Sequence, residues 1–144
     1  MWLYNNKELK EIPENTYGFI YKITDNLGNV YFGKKAFLHR RKTKLSKRAK
    51  QLPENKNKRV KISQRDSGWK IYFGSCKPLL EYLKTLNKEE SSKIKREILC
   101  FCETKMDLTY REIEVLIKEN VLFREDCWNQ NIASKFFKGK INKL

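Results

Sequence analysis

The chain has no apolar run of membrane-spanning length, only one histidine, no Cys-x-x-Cys pair and about half as many acids as bases. A membrane-spanning helix needs about 20 consecutive apolar residues, so none is expected. The N-terminus, Met1-Trp2-Leu3-Tyr4-Asn5-Asn6, lacks the charged start and apolar length of an export signal, and we expect a soluble, cytoplasmic protein. The four cysteines, Cys76, Cys100, Cys102 and Cys127, are remote in sequence from His39, which argues against a zinc site. They read as structural thiols, with no disulfide expected in a reducing compartment. Acids are scarce: 17 Asp and Glu face 32 Lys and Arg, a net charge of +15. That balance points to a polyanion as partner, because neutralising phosphates releases counterions. A membrane surface would also suit the charge, but no apolar segment supports it.

What is present is enough for a core. Hydrophobic residues make up 40%, with eight Phe, seven Tyr and three Trp, so disorder throughout is excluded. The 144 residues fit one domain spanning 1–144. Tyr17 to Thr24 is rich in aromatic and β-branched residues and reads as a strand, ended by the turn cluster Asp25-Asn26-Leu27-Gly28-Asn29. Val30 to Gly33 resumes strand character, which predicts a hairpin over 17–33. Residues 39–66 then hold twelve Lys or Arg and only Glu54 and Asp66 as acids. Leu38, Leu45 and Leu52 recur at heptad spacing, so a helix up to Pro53 competes with a charged loop. Either way the basic insertion is read as gripping phosphates. Arg40, Lys42, Lys44, Lys47, Arg48, Lys58, Arg59, Lys61, Trp69 and Lys70 are its candidate DNA contacts. Downstream, Trp69 to Gly74 is a short apolar piece, and Ser75 with Pro78 suggests the start of an amphipathic helix over 76–87. Ile94 to Cys102 reads as a third strand, Lys105 to Asn120 as a second helix, and the tail from Asn131 as a short strand or helix.

Gly18-Phe19-Ile20-Tyr21, followed by Tyr31-Phe32-Gly33, resembles the paired motifs of GIY-YIG nucleases. Downstream, Arg41, Glu112 and the Trp128-Asn129 pair continue the pattern, as do Lys34-Lys35 and the Trp-x-x-Tyr-x-Gly-Ser segment from Trp69 to Ser75. The resemblance covers residues 17 to about 132 and is to the short stand-alone proteins of large bacteriophages, related to homing endonucleases. It implies an α/β (α+β) domain with a central three-stranded antiparallel sheet flanked by helices, the basic insertion following the second strand. It also implies metal-dependent hydrolysis of double-stranded DNA, with Mg²⁺, or Mn²⁺, as the only cofactor. Tyr21 would be the general base, Arg41 would contact the scissile phosphate, and Glu112 would hold the ion. Tyr31 would support the attacking water beside Lys34 or Lys35, and Asn129 would complete the site. With no second DNA-binding domain recognisable, modest specificity is expected, or a homodimer that raises it.

These residue types suit that chemistry. A phenol of pKa near 10 needs a shift of roughly three units, about 4 kcal/mol, to act as a base at neutral pH, and adjacent cations favour that shift. Arginine offers a forked, permanent charge to phosphoryl oxygens. A hard ion takes oxygen ligands, so one carboxylate plus substrate can suffice. Independently of any family, Glu112 lies between Leu108 and Leu116 on a helix, whereas Glu114 neighbours Arg111 and Lys118 as a surface residue would. Arg40 competes with Arg41, and Asn131 with Asn129. His39 reads as an exposed loop residue or a proton-transfer aid. Two other readings are a nuclease built on a Glu-x-Lys triplet, such as Glu103-Thr104-Lys105, and a basic binding module without catalysis.

Overall fold

In the computed structural model, which describes residues 1–144, the chain opens with a hairpin of two short strands, β1 (Leu3–Tyr4) and β2 (Lys7–Glu8). Asn5 and Asn6 form its loop with φ of 49° and 63°, the left-handed pair that a two-residue hairpin turn demands. The predicted hairpin follows as β3 (Gly18–Thr24) and β4 (Val30–Ala36). Its turn is held by Asp25, whose Oδ1 accepts from the backbone N–H of Leu27 at 2.8 Å and of Asn29 at 2.9 Å.

The basic insertion is where sequence and structure part most. It folds as a two-stranded antiparallel ribbon, β5 (Leu38–Lys44) and β6 (Val60–Asp66), in register from Leu38 opposite Asp66 to Lys44 opposite Val60. The only α-helix within it is the four-residue α1 (Lys47–Lys50) at the tip, capped by Ser46. Leu38, Leu45 and Leu52 therefore do not share a helix face. Strand pairing satisfies the facing half of each strand's backbone groups, and water the rest, without a core that a charged segment cannot supply.

Helix α2 (Lys77–Lys84) starts with Pro78 in its first turn but is not capped by Ser75, since Cys76 holds the cap position. Asn87 and Glu90 form a reciprocal capping box that starts a further helix, α3 (Lys88–Ser92), where the sequence showed none. Strand β7 (Lys95–Cys102) and helix α4 (Lys105–Lys118) fall where expected. Thr104 caps α4 by accepting from the Asp107 N–H at 3.0 Å, and Asn120, at φ 55°, ends it. The tail closes with a second small hairpin, β8 (Asn131–Ile132) and β9 (Phe136–Phe137).

The main sheet has the order β2-β1-β7-β3-β4. The expected three antiparallel strands are its centre, but it has five strands and is mixed, because β1 lies parallel to β7. Trp2, 1% exposed, fastens the added hairpin, its Nε1–H donating to the Trp69 carbonyl at 2.6 Å. Phe19, Tyr21 and Ile23 share the face that packs on Trp2, Phe37, Trp69 and Ile98. Edge-on ring contacts such as Phe37 to Trp69, centroids 5.1 Å apart, each add about 0.5–1.5 kcal/mol beyond area burial. Trp69 is therefore a core residue at 1% exposure and not a DNA contact; its placement beside Lys70 concealed that role. The opposite face is covered by α4, with Leu108 against Ile20 and Leu116 beside Val30 and Phe32.

Candidate active site

Tyr21 and Tyr31 come from neighbouring strands and meet on one face of the sheet. Tyr21 pairs with Gly33 and Ile23 with Tyr31, so the two phenols are diagonal neighbours with ring centroids 6.2 Å apart. Tyr72 joins them, edge-on to Tyr21 at 6.0 Å. Two glycines make this packing possible. A Cβ on Gly33 would lie 2.5 Å from the Tyr21 hydroxyl, and one on Gly74 would lie 2.9 Å from the Tyr31 ring. Gly74 also has φ +89°, a conformation that side chains strain.

Glu112 approaches from the other face. It stands on α4 beside the outer strand β4, and its carboxylate meets Lys34 Nζ at 3.4 Å. Lys34 also donates to Thr109 Oγ1 at 3.1 Å. Around the edge of β4 opens a cavity of about 430 Å³, whose lining includes Tyr31, Ser75, Cys76, Glu112, Gln130 and Asn131. The Tyr31 hydroxyl is 3.3 Å from Ser75 Oγ. Ser75, read as a helix cap, thus belongs to the site. Glu114 is engaged elsewhere, by Arg111 at 3.2 Å and Lys118 at 3.6 Å.

The electrostatics oppose an easy phenolate. Burial, first of all, raises the Tyr21 pKa well above the ordinary phenol range, and Tyr31, Tyr72 and the charge of Glu112 push the same way. Tyr31 is raised too, chiefly by burial, with the Ser75 hydrogen bond working against it. Lys34 and Lys35, adjacent in sequence, project to opposite faces of β4. Lys35 lies 4.0 Å over the Tyr72 ring, and burial lowers its own pKa, partly offset by Asp66. At rest, both phenols are neutral at pH 7.

Two further residues take places that spacing did not reveal. Asn129, 5% exposed, spends its amide on the backbone: Nδ2 donates to the Phe32 carbonyl at 2.8 Å, and Oδ1 accepts the Phe32 N–H at 2.9 Å. It holds β4 in place from the wall of the cavity that Tyr31 and Glu112 also line. Arg96, 6% exposed, donates to the carbonyls of Lys70 at 3.1 Å and Tyr72 at 2.8 Å and stacks 4.1 Å from Phe73, which fixes the segment carrying Tyr72 and Gly74. The clue to that segment was the second Tyr-Phe-Gly triplet, residues 72–74, repeating residues 31–33.

Arg41 is not brought into this group. It sits on β5 of the ribbon opposite Ser63, exposed, and Arg40 is exposed on the other ribbon face. Lys42, Lys44, Lys47, Arg48, Lys58, Arg59 and Lys61 are likewise exposed along the ribbon and its tip, as is Lys70 beyond its base. His39 is exposed opposite Arg65. Asn131 lines the cavity while its Oδ1 accepts the Ser134 N–H at 3.0 Å. No helix is long and apolar enough to cross a membrane.

A family model described as "Putative endonuclease segE, GIY-YIG domain" matches residues 2–141. No curated protein and no solved structure matches the chain.

Proposed function

The chain belongs to the GIY-YIG endonuclease family, and from that membership we propose that it is a metal-dependent DNA endonuclease with Glu112 as the residue that holds the ion. Membership itself makes the chain a nuclease and DNA its substrate. The observation that carries the finer reading is the convergence of Tyr31 and Glu112, from opposite sheet faces, on one cavity at the edge of β4, with Tyr21 packed behind Tyr31.

The residues fit a hard divalent cation. No group of three or more His, Cys, Asp or Glu is assembled, so the ion would rest on one carboxylate, neutral oxygens such as that of Gln130, and the substrate phosphate. Glu112 offers a carboxylate balanced by a single lysine, which a cation can displace. When bound, magnesium or manganese supplies positive charge to the phosphoryl oxygens and to the leaving oxygen. Lys34, whose Nζ lies 3.4 Å from Glu112, is the cation placed to face the phosphate, a duty the resemblance gave to Arg41.

Hydrolysis requires a water to attack phosphorus, lose a proton, and displace the bridging oxygen, which gains one. Tyr31 lines the cavity and Tyr21 lies behind it, so we assign Tyr31 to orienting the water and the pair to receiving its proton. A neutral phenol can take the water's proton only as its own passes to bulk water or to the departing oxygen, a loss that cationic charge beside the phenol favours. Lys34 and Lys35 are the charges this chain provides. The test is supercoiled plasmid incubated with purified protein, with Mg²⁺ and with chelator. Nicked or linear product should appear only with the ion. Tight binding without cutting under any divalent ion would instead leave a basic binding module.

A further inference from the structure

We propose that the β5–β6 ribbon enters the major groove of double-stranded DNA, and that Arg41 and Arg65 on its free face read base edges there, so that the ribbon sets where the nuclease cuts. The inference rests on the nuclease reading for its consequence, but not for the binding itself.

The two faces of the ribbon differ. Strand register places Leu38, Arg40, Lys42 and Lys44 on one face, opposite Asp66, Gln64, Ile62 and Val60. At its root this face looks onto the body: Leu38, Arg40 and Gln64 line a hollow with Tyr17, Glu103 and Thr104. At its far end Val60 and Ile62 line another hollow with Leu45 and Leu52 of the tip. The other face carries His39, Arg41, Thr43, Lys61, Ser63 and Arg65. It has no acid and no apolar residue, and all six are exposed. Every one of them can hydrogen-bond, and three are cations. A ribbon exposed on both faces gains nothing from a core, so a partner is needed to explain such a composition.

Dimensions and charge choose the partner. Seven paired residues in each strand extend about 23 Å, and two strands stand about 5 Å apart. A two-stranded ribbon with side chains fits the B-DNA major groove, about 12 Å wide, but not the minor groove, about 6 Å wide. The major groove of duplex RNA is too narrow as well. Residues 39–66 hold twelve cations and two acids, enough for the tip and the outer face to meet the phosphates on either wall. Arginine is the side chain whose fork matches guanine O6 and N7. The strand that bears Tyr31 and Lys34 runs through Phe37 directly into β5, and Ser67 Oγ donates to the Ala36 carbonyl at 2.6 Å at the ribbon's base. Ribbon and catalytic cavity are thus held on one stiff support.

The test uses the full-length chain carrying Glu112→Gln, so that binding is read without cutting. Duplexes selected from a random-sequence library are partly methylated with dimethyl sulfate, which marks guanine N7 in the major groove and adenine N3 in the minor groove. Methylation of specific guanines should weaken binding on the order of tenfold, and Arg41→Ala with Arg65→Ala should abolish that guanine dependence. Lys42→Ala with Lys44→Ala, on the other face, should weaken all sequences alike and flatten the salt dependence, leaving the guanine signal in place. Interference at adenine N3 alone, a selected pool without sequence preference, a guanine signal that survives the double arginine variant, or equal binding of duplex RNA would each overturn the proposal. A failure of the nuclease reading would show separately, as absence of cutting by the unsubstituted chain.

Discussion

Replacing Asn129 by alanine discriminates between a residue that touches substrate and one that holds the site's framework. The side chain makes two hydrogen bonds to one peptide residue, to the Phe32 N–H at 2.9 Å and the Phe32 carbonyl at 2.8 Å, and Phe32 is 3% exposed. In Asn129→Ala both groups lose their partner in the wall of the cavity, where only water entering that cavity can replace it. An unsatisfied buried group costs about 1–3 kcal/mol, so the pair should cost about 2–6 kcal/mol, less where cavity water reaches them, against a total of about 5–15 kcal/mol for a domain. For this length that is a melting point lowered by about 10 °C. Asn129→Asp should be at least as harmful, since a carboxylate still accepts from the N–H but opposes the carbonyl. Both variants would be followed by circular dichroism through heat and urea, with plasmid cutting measured well below the melting point. Activity should fall in step with stability and return as temperature is lowered. An Asn129→Ala protein that melts with the parent yet cuts no DNA would refute this account and make Asn129 a group that contacts the phosphate.

Gly33→Ala should displace the Tyr21 hydroxyl, 2.5 Å from the added carbon, costing about 1–3 kcal/mol in overpacking and reducing cutting far more than DNA binding; an unchanged rate would mean that Tyr21 has no part in the reaction. The alkaline limb of the stability curve carries a second signature. With the Tyr21 pKa raised in the folded state, the unfolded chain loses that proton first, near pH 10, so the contribution is fully present below about pH 10 and is lost as pH rises through the folded value. Cys102, pushed up to about 12 by burial above all, acts with the same sign from nearer pH 9. Tyr21→Phe should therefore make the fall above pH 10 shallower in urea titrations, and an unaltered slope would deny that this phenol stays protonated.

Aromatic and β-branched alternation made the central strands legible, because their side chains alternate between two buried faces. The same rule hid the ribbon. Both of its faces meet solvent, so the only apolar alternation is Val60 and Ile62, too short to show, and lysine does not favour strands. The N-terminal hairpin was hidden for another reason: its strands have two residues each, and its parallel pairing joins Leu3 to Glu97 across most of the chain. At the site, Glu112 was legible from its place on an apolar helix stripe, and the tyrosines from paired motifs. Tyr72 and Ser75 stood in the Trp69–Ser75 segment of the resemblance without a role, since their nearness to Tyr21 and Tyr31 depends on Arg96 fixing a loop. The backbone contact of Asn129 could not be foreseen from spacing, because its partner Phe32 lies 97 residues away in the chain.

One carboxylate at the edge of β4 is proposed to make the cavity a metal-dependent cutting site. Mg²⁺-dependent plasmid nicking with Glu112→Gln and Glu114→Gln side by side tests this most directly, since the two stand two positions apart on one helix and so on nearly opposite sides of it. Glu112→Gln should bind DNA as the parent does and nick it at least a hundredfold more slowly, on the scale of losing a residue that stabilises the transition state, while Glu114→Gln nicks at the parent's rate. Equal, undiminished nicking by the two variants would contradict the account.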